Sequence, residues 1–292
     1  MSLHVLKNND IAIKVEDHGA ELRSLTKIDS GKEFMFQADP KYWGRTSPVL
    51  FPIVGGLWEN MYIYDGVTYE LPKHGFARDM DFNLVKETSD ELLFELKDTE
   101  ETMKVYPFKF ALQIGYKLEG SKVTVSYNVK NENDGAFYFS IGAHPAFTCD
   151  LNTDELLFEK NGAAVKDTLK SGVIDMSSGC LSEKVIDVKT TGGVLTLEPK
   201  LFDEDALIFE GRQSDSVTII RKDDADKVKV SFDAPLFGVW SPDKKNAPFV
   251  CIEPWNGRCD RVGYEHALEK REHGNRLEKG ESFNTAFSIE IL

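Results

Sequence analysis

Apolar and polar residues alternate with period two through most of the chain. The pattern is clear in IAIKV (11–15), ELLFELK (91–97), FALQIGYKLEG (110–120), KVTVSYNVKN (122–131), SVTIIRK (216–222) and KVKVSFD (227–233). Each run is short, rich in Val, Ile, Phe, Tyr and Thr, and bounded by Gly, Asn, Asp or Pro. Successive side chains of a strand point to opposite faces, so such runs predict strands with one face in a core. Their number predicts an all-β protein built on a large antiparallel sheet. A sheet of that size folds against a second one or closes on itself, which predicts one large β-sandwich domain over residues 1–292. The first twenty residues alternate in the same way. Helical periodicity is rare: residues 38–45 suggest a helical turn, and 266–281, charged on nearly all sides, a short exposed helix or loop. The polar stretch 160–195 reads as loops and hairpins. No fixed-period repeat and no linker divides the chain.

Composition narrows the partners. Of 292 residues, 41% are hydrophobic and 29% charged, ordinary for a globular chain. The formal net charge of -14, from 49 acids against 35 bases, disfavours nucleic acid and anionic membrane surfaces. A basic pocket for one small anion is still compatible with that balance. No apolar run reaches the ~20 residues of a membrane-spanning helix, and the N-terminus lacks the apolar region of a secretory signal. The cysteines, 149, 180, 251 and 259, form no CxxC pair, so neither a zinc nor a redox motif is expected. They read as small core residues in a reduced, cytoplasmic setting.

The candidate chemistry lies in four stretches. FYFSIGAHPAF (137–147) and PFVCIEPW (248–255) each set an ionisable residue, His144 and Glu253, directly before a proline. Proline cannot donate to a sheet ladder, so both residues are expected at strand ends, on a rim or in a cleft. A carboxylate among Phe249, Ile252 and Trp255 would be partly desolvated and hence more basic, which suits a general base near neutral pH. The alternative is a hydrogen-bonded structural histidine and a surface acid. LPKHGFARDMDF (71–82) brings His74 and Arg78 into one tight turn, able to donate to sugar hydroxyls or to an anion; the alternative is a solvated basic loop. KYWGRTSPVLFPIVGGLWEN (41–60) places Arg45 before an apolar run, and its planar fork suits vicinal hydroxyls or phosphate. Trp43, Trp58, Trp240 and Trp255 offer platforms for a sugar face, and each is equally an ordinary core residue.

Taken in order, GRTSPVLFPIVG, KHGFARDMDF, SIGAHPAF and FVCIEPWNG resemble the aldose 1-epimerase (galactose mutarotase) superfamily, in its LacX-like branch. The resemblance runs from the N-terminal strands to the final FNTAFSIEI. It implies a β-supersandwich and a cofactor-independent isomerase that interconverts the α and β anomers of an aldose. It also implies roles: Glu253 as the base that takes the O1 proton, His144 as the acid that protonates the ring oxygen, His74 as a hydrogen-bond donor to the ring oxygen or a neighbouring hydroxyl, and Arg45 as a positioning group. The family's sugar-holding aspartate falls in LFDEDALIFEG (201–211), with Asp205 the candidate and Asp203 and Glu204 its alternates. HGFAR resembles the hexose-6-phosphate branch, in which arginines hold the phosphate.

These residue types suit ring opening, because O1 must lose a proton while O5 gains one. No bond to a leaving group outside the ring breaks, so the step needs neither nucleophile nor metal. The expected partner is a monosaccharide or a sugar phosphate, bound by a monomer or homodimer. A non-catalytic sugar-binding protein is the alternative from another class, and a glycosidase using Asp205 and Glu253 is a further enzyme alternative.

Overall fold

The structure, a computed structural model, describes residues 2–165 and 168–292. Among these, only the helix Glu100–Val105 and four 3-10 turns interrupt strand, turn and loop. All six alternating runs form strands: Ile11–Glu16, Glu91–Lys97, Phe110–Glu119, Lys122–Asn131, Ser216–Ile220 and Val228–Phe232. The last five lie in one ten-stranded sheet, with the C-terminal strand Ser282–Ile291 between Val228–Phe232 and Lys122–Asn131. An eight-stranded antiparallel sheet runs in the order Cys180–Val188, Leu169–Asp175, Leu207–Glu210, Leu236–Trp240, Phe249–Asn256, Ile141–Ala143, Val49–Leu50. Ala146–Thr148 pairs with the start of Phe249–Asn256.

The two sheets meet through aromatic rings. Phe158 and Phe232 of the larger sheet contact Phe209 and Phe237 of the smaller, with centroids 5.7 Å and 5.1 Å apart for the pairs 158–209 and 232–237. Val125, Val217 and Ile289 share this core with Val239, Val250 and Ile252. The molecule is therefore an all-β antiparallel sandwich. Period two now decides where chemistry can sit. In Phe249–Asn256, Val250 and Ile252 point into the core, so Cys251, Glu253 and Trp255 face the other side of the smaller sheet. On the neighbouring strand Phe237 and Val239 point inward, which turns Gly238 and Trp240 to the same outer face.

Three expectations are corrected. Glu253 does not end a strand: pairing with Leu236–Trp240 runs unbroken from Cys251 to Trp255, through Pro254 opposite Phe237. Proline is tolerated because of where its missing N–H would point. Ile252 donates to Pro145 O at 3.3 Å, so the nitrogen two residues on faces the same side. There the flanking pairs, Gly142 with Trp255 and Ala146 with Cys251, set Pro254 opposite Ala143, beside the break at His144 and Pro145, and no ladder pair joins the two. His144 does fall in such an interruption, as expected. Second, the helix Glu100–Val105 was not anticipated. Thr99 and Thr102 cap each other's backbone N–H groups (3.1 Å and 2.8 Å), and Glu100 and Glu101 sit at the positive end of the helix dipole. Third, residues 266–281 are not simply exposed: Leu268 and Arg271 are buried, and Asn275–Leu277 pairs with Phe137–Phe139. The helical turn expected in 38–45 is present, with Trp43 N–H bonded to Asp39 O at 3.0 Å. The stretch 160–195 supplies the hairpin Leu169–Asp175/Cys180–Val188, apart from 166 and 167, which lie outside the described residues.

Candidate active site

On the outer face of the smaller sheet is a cavity of about 220 Å³. That is below the ~300–1,000 Å³ of pockets for drug-sized ligands, and suits one small polar molecule. Its floor is Glu253, Trp255, Trp240 and Ile208 from the sheet; its walls are Trp43, Gly55, Lys73, His74, Arg78, His144, Asp205 and Cys259 from strand connections. The sequence analysis singled out eight of these: His74, Arg78, His144, Asp205 and Glu253, with the platforms Trp43, Trp240 and Trp255.

Trp255 lies flat on the sheet because its neighbours are glycines. A Cβ at Gly142, on one adjacent strand, would come within 2.6 Å of the indole, and one at Gly238, on the other, within 2.5 Å. Between these strands Glu253 rises, 1% exposed, with neither carboxylate oxygen hydrogen-bonded within the protein. His144 Nε2 is 3.3 Å from Glu253 Oε2, and its Nδ1 has no partner. The imidazole is packed by Trp43 (centroids 4.7 Å, tilted 30°), by the edge of Trp240 (5.3 Å) and by His74 (5.7 Å).

His74 sits at φ 72 in its tight turn and exchanges bonds with Gly55. His74 N–H donates to Gly55 O at 2.9 Å, and Gly55 N–H donates to His74 Nδ1 at 3.1 Å. A backbone N–H can only donate, so Nδ1 must accept and the ring proton belongs on Nε2. His74 is thereby fixed as a neutral donor.

Electrostatics follow from burial. Desolvation pushes the Glu253 carboxyl well above the carboxylate range, and Asp205 adds to this, while Lys73 and the Trp255 side chain oppose it. His144 is pulled down to about 3 by burial and then by Lys73, Arg78 and Arg45. His74 falls well below its usual value by burial, with His144, Lys73, Arg78 and Arg45 acting the same way. The contacting pair therefore favours a protonated Glu253 beside a neutral His144.

Other residues stand apart from expectation. Arg45 does not line the cavity: Nη2 pairs with Asp79 Oδ1 at 2.6 Å and Nη1 reaches Arg78 O at 3.4 Å. Arg78 Nε lies 3.7 Å from Asp79 Oδ2, so both arginines converge on the chain's own carboxylate. Trp58 is outside the cavity, its N–H bonded to Asp260. Of the three acids considered at 203–205, only Asp205 reaches the cavity; Asp203 and Glu204 line a separate groove, where Lys184 bonds Glu204 at 2.8 Å. Lys73, not singled out in its own motif, bridges to Asp205 at 3.2 Å, so the two sit together at the cavity wall. His144, Cys251 and Glu253 bring one donor atom each within 4.8 Å of one another, a trio that the spacing of the cysteines did not suggest. Nitrogen, sulfur and oxygen donors suit a soft divalent cation.

Comparison with known proteins agrees with this fold. A family model described as aldose 1-epimerase matches residues 2–290. Protein LacX, chromosomal, from Lactococcus lactis subsp. lactis is 28% identical over an alignment of 305 residues, covering 98% of each chain. A galactose mutarotase related enzyme from Lactobacillus acidophilus superposes with a TM-score of 0.93 at 34% identity, over 100% of this chain and 97% of that one. A galactose mutarotase-like protein from Lactobacillus casei ATCC 334 also gives 0.93, at 26% identity and 100% coverage of both.

Proposed function

Because the chain belongs to the aldose 1-epimerase family, we propose that it interconverts the α and β anomers of a free hexose by acid–base ring opening and reclosure. One observation carries the reading. Two buried ionisable groups, His144 Nε2 and Glu253 Oε2, stand 3.3 Å apart on a cavity of monosaccharide scale, with the carboxylate free of other partners.

The pair holds one proton between its two members. Sugar hydroxyls, with Lys73 and the His74 Nε2–H, replace part of the lost hydration and make the form Glu253⁻/His144⁺ accessible. Glu253 then takes the O1 proton as His144 gives its proton to O5, and the C1–O5 bond breaks. The open-chain aldehyde is left beside protonated Glu253 and neutral His144, which is the protonation state that burial favours. Rotation about C1–C2 presents the other carbonyl face. O5 returns its proton to His144 and attacks C1, and Glu253 reprotonates O1. Protons balance at each step, and positioned transfer of this kind is worth ~10²–10⁴ in rate. Trp43 and Trp240 supply apolar faces for the ring, and Asp205 and Lys73 are placed to read its hydroxyls.

A hexose 6-phosphate is the second reading, favoured by Arg78 Nε, which is buried without a hydrogen-bond partner at the cavity. A phosphate bound by both arginines would have to displace Asp79, which ranks the free sugar first. The test is saturation-transfer NMR of anomer exchange across free and 6-phosphorylated hexoses. Free hexoses should exchange faster with the protein than in buffer. The proposal fails if no sugar does, and a sugar that binds by calorimetry without faster exchange makes this a binding protein.

A further inference from the structure

Below the cavity wall lies a buried ionic cluster that the proton chemistry does not use. Arg271 and Asp260 have side chains only 4% and 3% exposed, and Arg271 Nε donates to Asp260 Oδ1 at 2.7 Å. Arg271 Nη2 donates to Arg258 O at 2.8 Å, and Nη1 reaches Ser140 Oγ at 3.5 Å. Ser140 and Asp260 also bond the stretch of backbone at residues 54–58. Val54 N–H donates to Ser140 Oγ (3.0 Å), Asp260 N–H to Gly56 O (3.0 Å), and Trp58 N–H to Asp260 Oδ2 (3.0 Å). In the middle of that stretch is Gly55, whose N–H holds His74 Nδ1. Gly55 is pressed against Cys259, the residue before Asp260: a Cβ there would meet the Cys259 Cβ at 2.5 Å, and φ is +73. The backbone amide that orients His74 is thus clamped on both sides in sequence and from beneath.

We infer that Asp260, Arg271 and Ser140 are positioning residues for the proposed reaction, acting through the 54–58 backbone to hold His74 in its Nε2–H tautomer. The inference rests on the mutarotase reading for its catalytic consequence, but not for the tautomer itself. Without the clamp, Gly55 N–H drifts from Nδ1 and the imidazole samples the Nδ1–H form, which turns a lone pair toward the sugar. Lys73, Arg78, Arg45 and His144 surround the ring and still oppose its protonation. The loss is therefore one of orientation and tautomer rather than of charge.

Removing Arg271 outright would strand a buried carboxylate, so the test uses Ser140→Ala and Asp260→Asn, with Arg271→Lys as the conservative variant. Nitrogen-15 NMR of the histidine side chains reads the His74 tautomer directly. The wild type should show Nε2–H alone between about pH 5 and 8. Ser140→Ala and Asp260→Asn should show a mixture, with kcat for anomer exchange down by about ten- to a hundredfold and KM changed less than about twofold. Arg271→Lys should keep most of both. If the tautomer is unchanged in both variants while the fold persists, the cluster is merely structural and the inference is overturned. If the tautomer shifts as expected but the wild type accelerates no sugar, the positioning stands and the mutarotase reading falls.

Discussion

Two clusters of buried charge lie a few residues apart and are wired in opposite ways. Around Arg258 and Arg271, donors meet acceptors: Arg258 bonds Glu210, Glu272 and Cys259 O, and Arg271 bonds Asp260 and Arg258 O. Around Glu253, both carboxylate oxygens, His144 Nδ1, Trp255 Nε1 and Arg78 Nε have no hydrogen-bond partner. Burying a polar group without a bond costs about 1–3 kcal/mol, more when it is charged. A fold that satisfies one cluster and leaves its neighbour open holds the second for something that arrives from outside. The saturated cluster holds the backbone that carries Gly55 and so orients His74; on the proposed reading, the open one is where a ligand's hydroxyls would complete the bonding.

The sharpest break of this comparison is Glu253→Gln. The amide keeps the shape but cannot take a proton, so accelerated anomer exchange should fall by ~10²–10⁴, to near the buffer rate, while sugar still binds by calorimetry. In the saturated cluster the same kind of cut should reach stability as well. Arg271→Met leaves Asp260 buried and unpaired and should cost about 3–5 kcal/mol in chemical denaturation, whereas Glu253→Gln should cost nothing. Loss of stability in both, or in neither, would erase the distinction.

The pH dependence sharpens it further. The folded-state pKa of Glu253 is raised, so its contribution is fully present below the unfolded value of ~4.3 and is lost as pH rises toward the folded value. Above ~4.3, wild type should therefore lose up to about 1.4 kcal/mol per pH unit relative to Glu253→Gln. Thermal melts of the two proteins from pH 4 to 8 would show a gap opening in favour of the variant; a constant gap would mean that Glu253 is not desolvated. A smaller effect is expected at Gly238→Ala, whose methyl meets the Trp255 ring and should cost about 1–3 kcal/mol along with some activity. Smallest of all, Asp79→Asn removes a half-exposed partner of Arg45 worth ~0.2–1 kcal/mol, and turnover of a free hexose should stay within about fivefold. A large gain for a 6-phosphorylated sugar in that variant would mark Asp79 as a stand-in for phosphate.

How far the site was legible varies by residue. His144 and Glu253 were visible because an ionisable side chain inside an apolar, proline-marked strand is costly unless used. Asp205 carried no local signal beyond its motif, and its neighbours differ only in which way a loop turns them. Arg45 was read as a sugar contact from its side-chain type and the family resemblance, and its pairing with Asp79, 34 residues away, is decided by tertiary packing. Arg271 was hidden among exposed charges in 266–281, because nothing local distinguishes the one arginine that the fold buries.

By itself the chain determined its strands, since period two is written residue by residue and each face needs only its own alternation. It also determined that two ionisable residues, His144 and Glu253, would stand within or beside apolar strands. Only the tertiary structure decided which strands are neighbours, that Pro254 falls opposite Ala143 beside the break at His144–Pro145, and that Gly142 and Gly238 flank Trp255. It likewise decided that a buried ion pair at 260 and 271 clamps the amide that orients His74. The reason is range: alternation is a property of adjacent residues, whereas proton sharing and tautomer choice depend on contacts of a few ångströms between segments far apart along the chain.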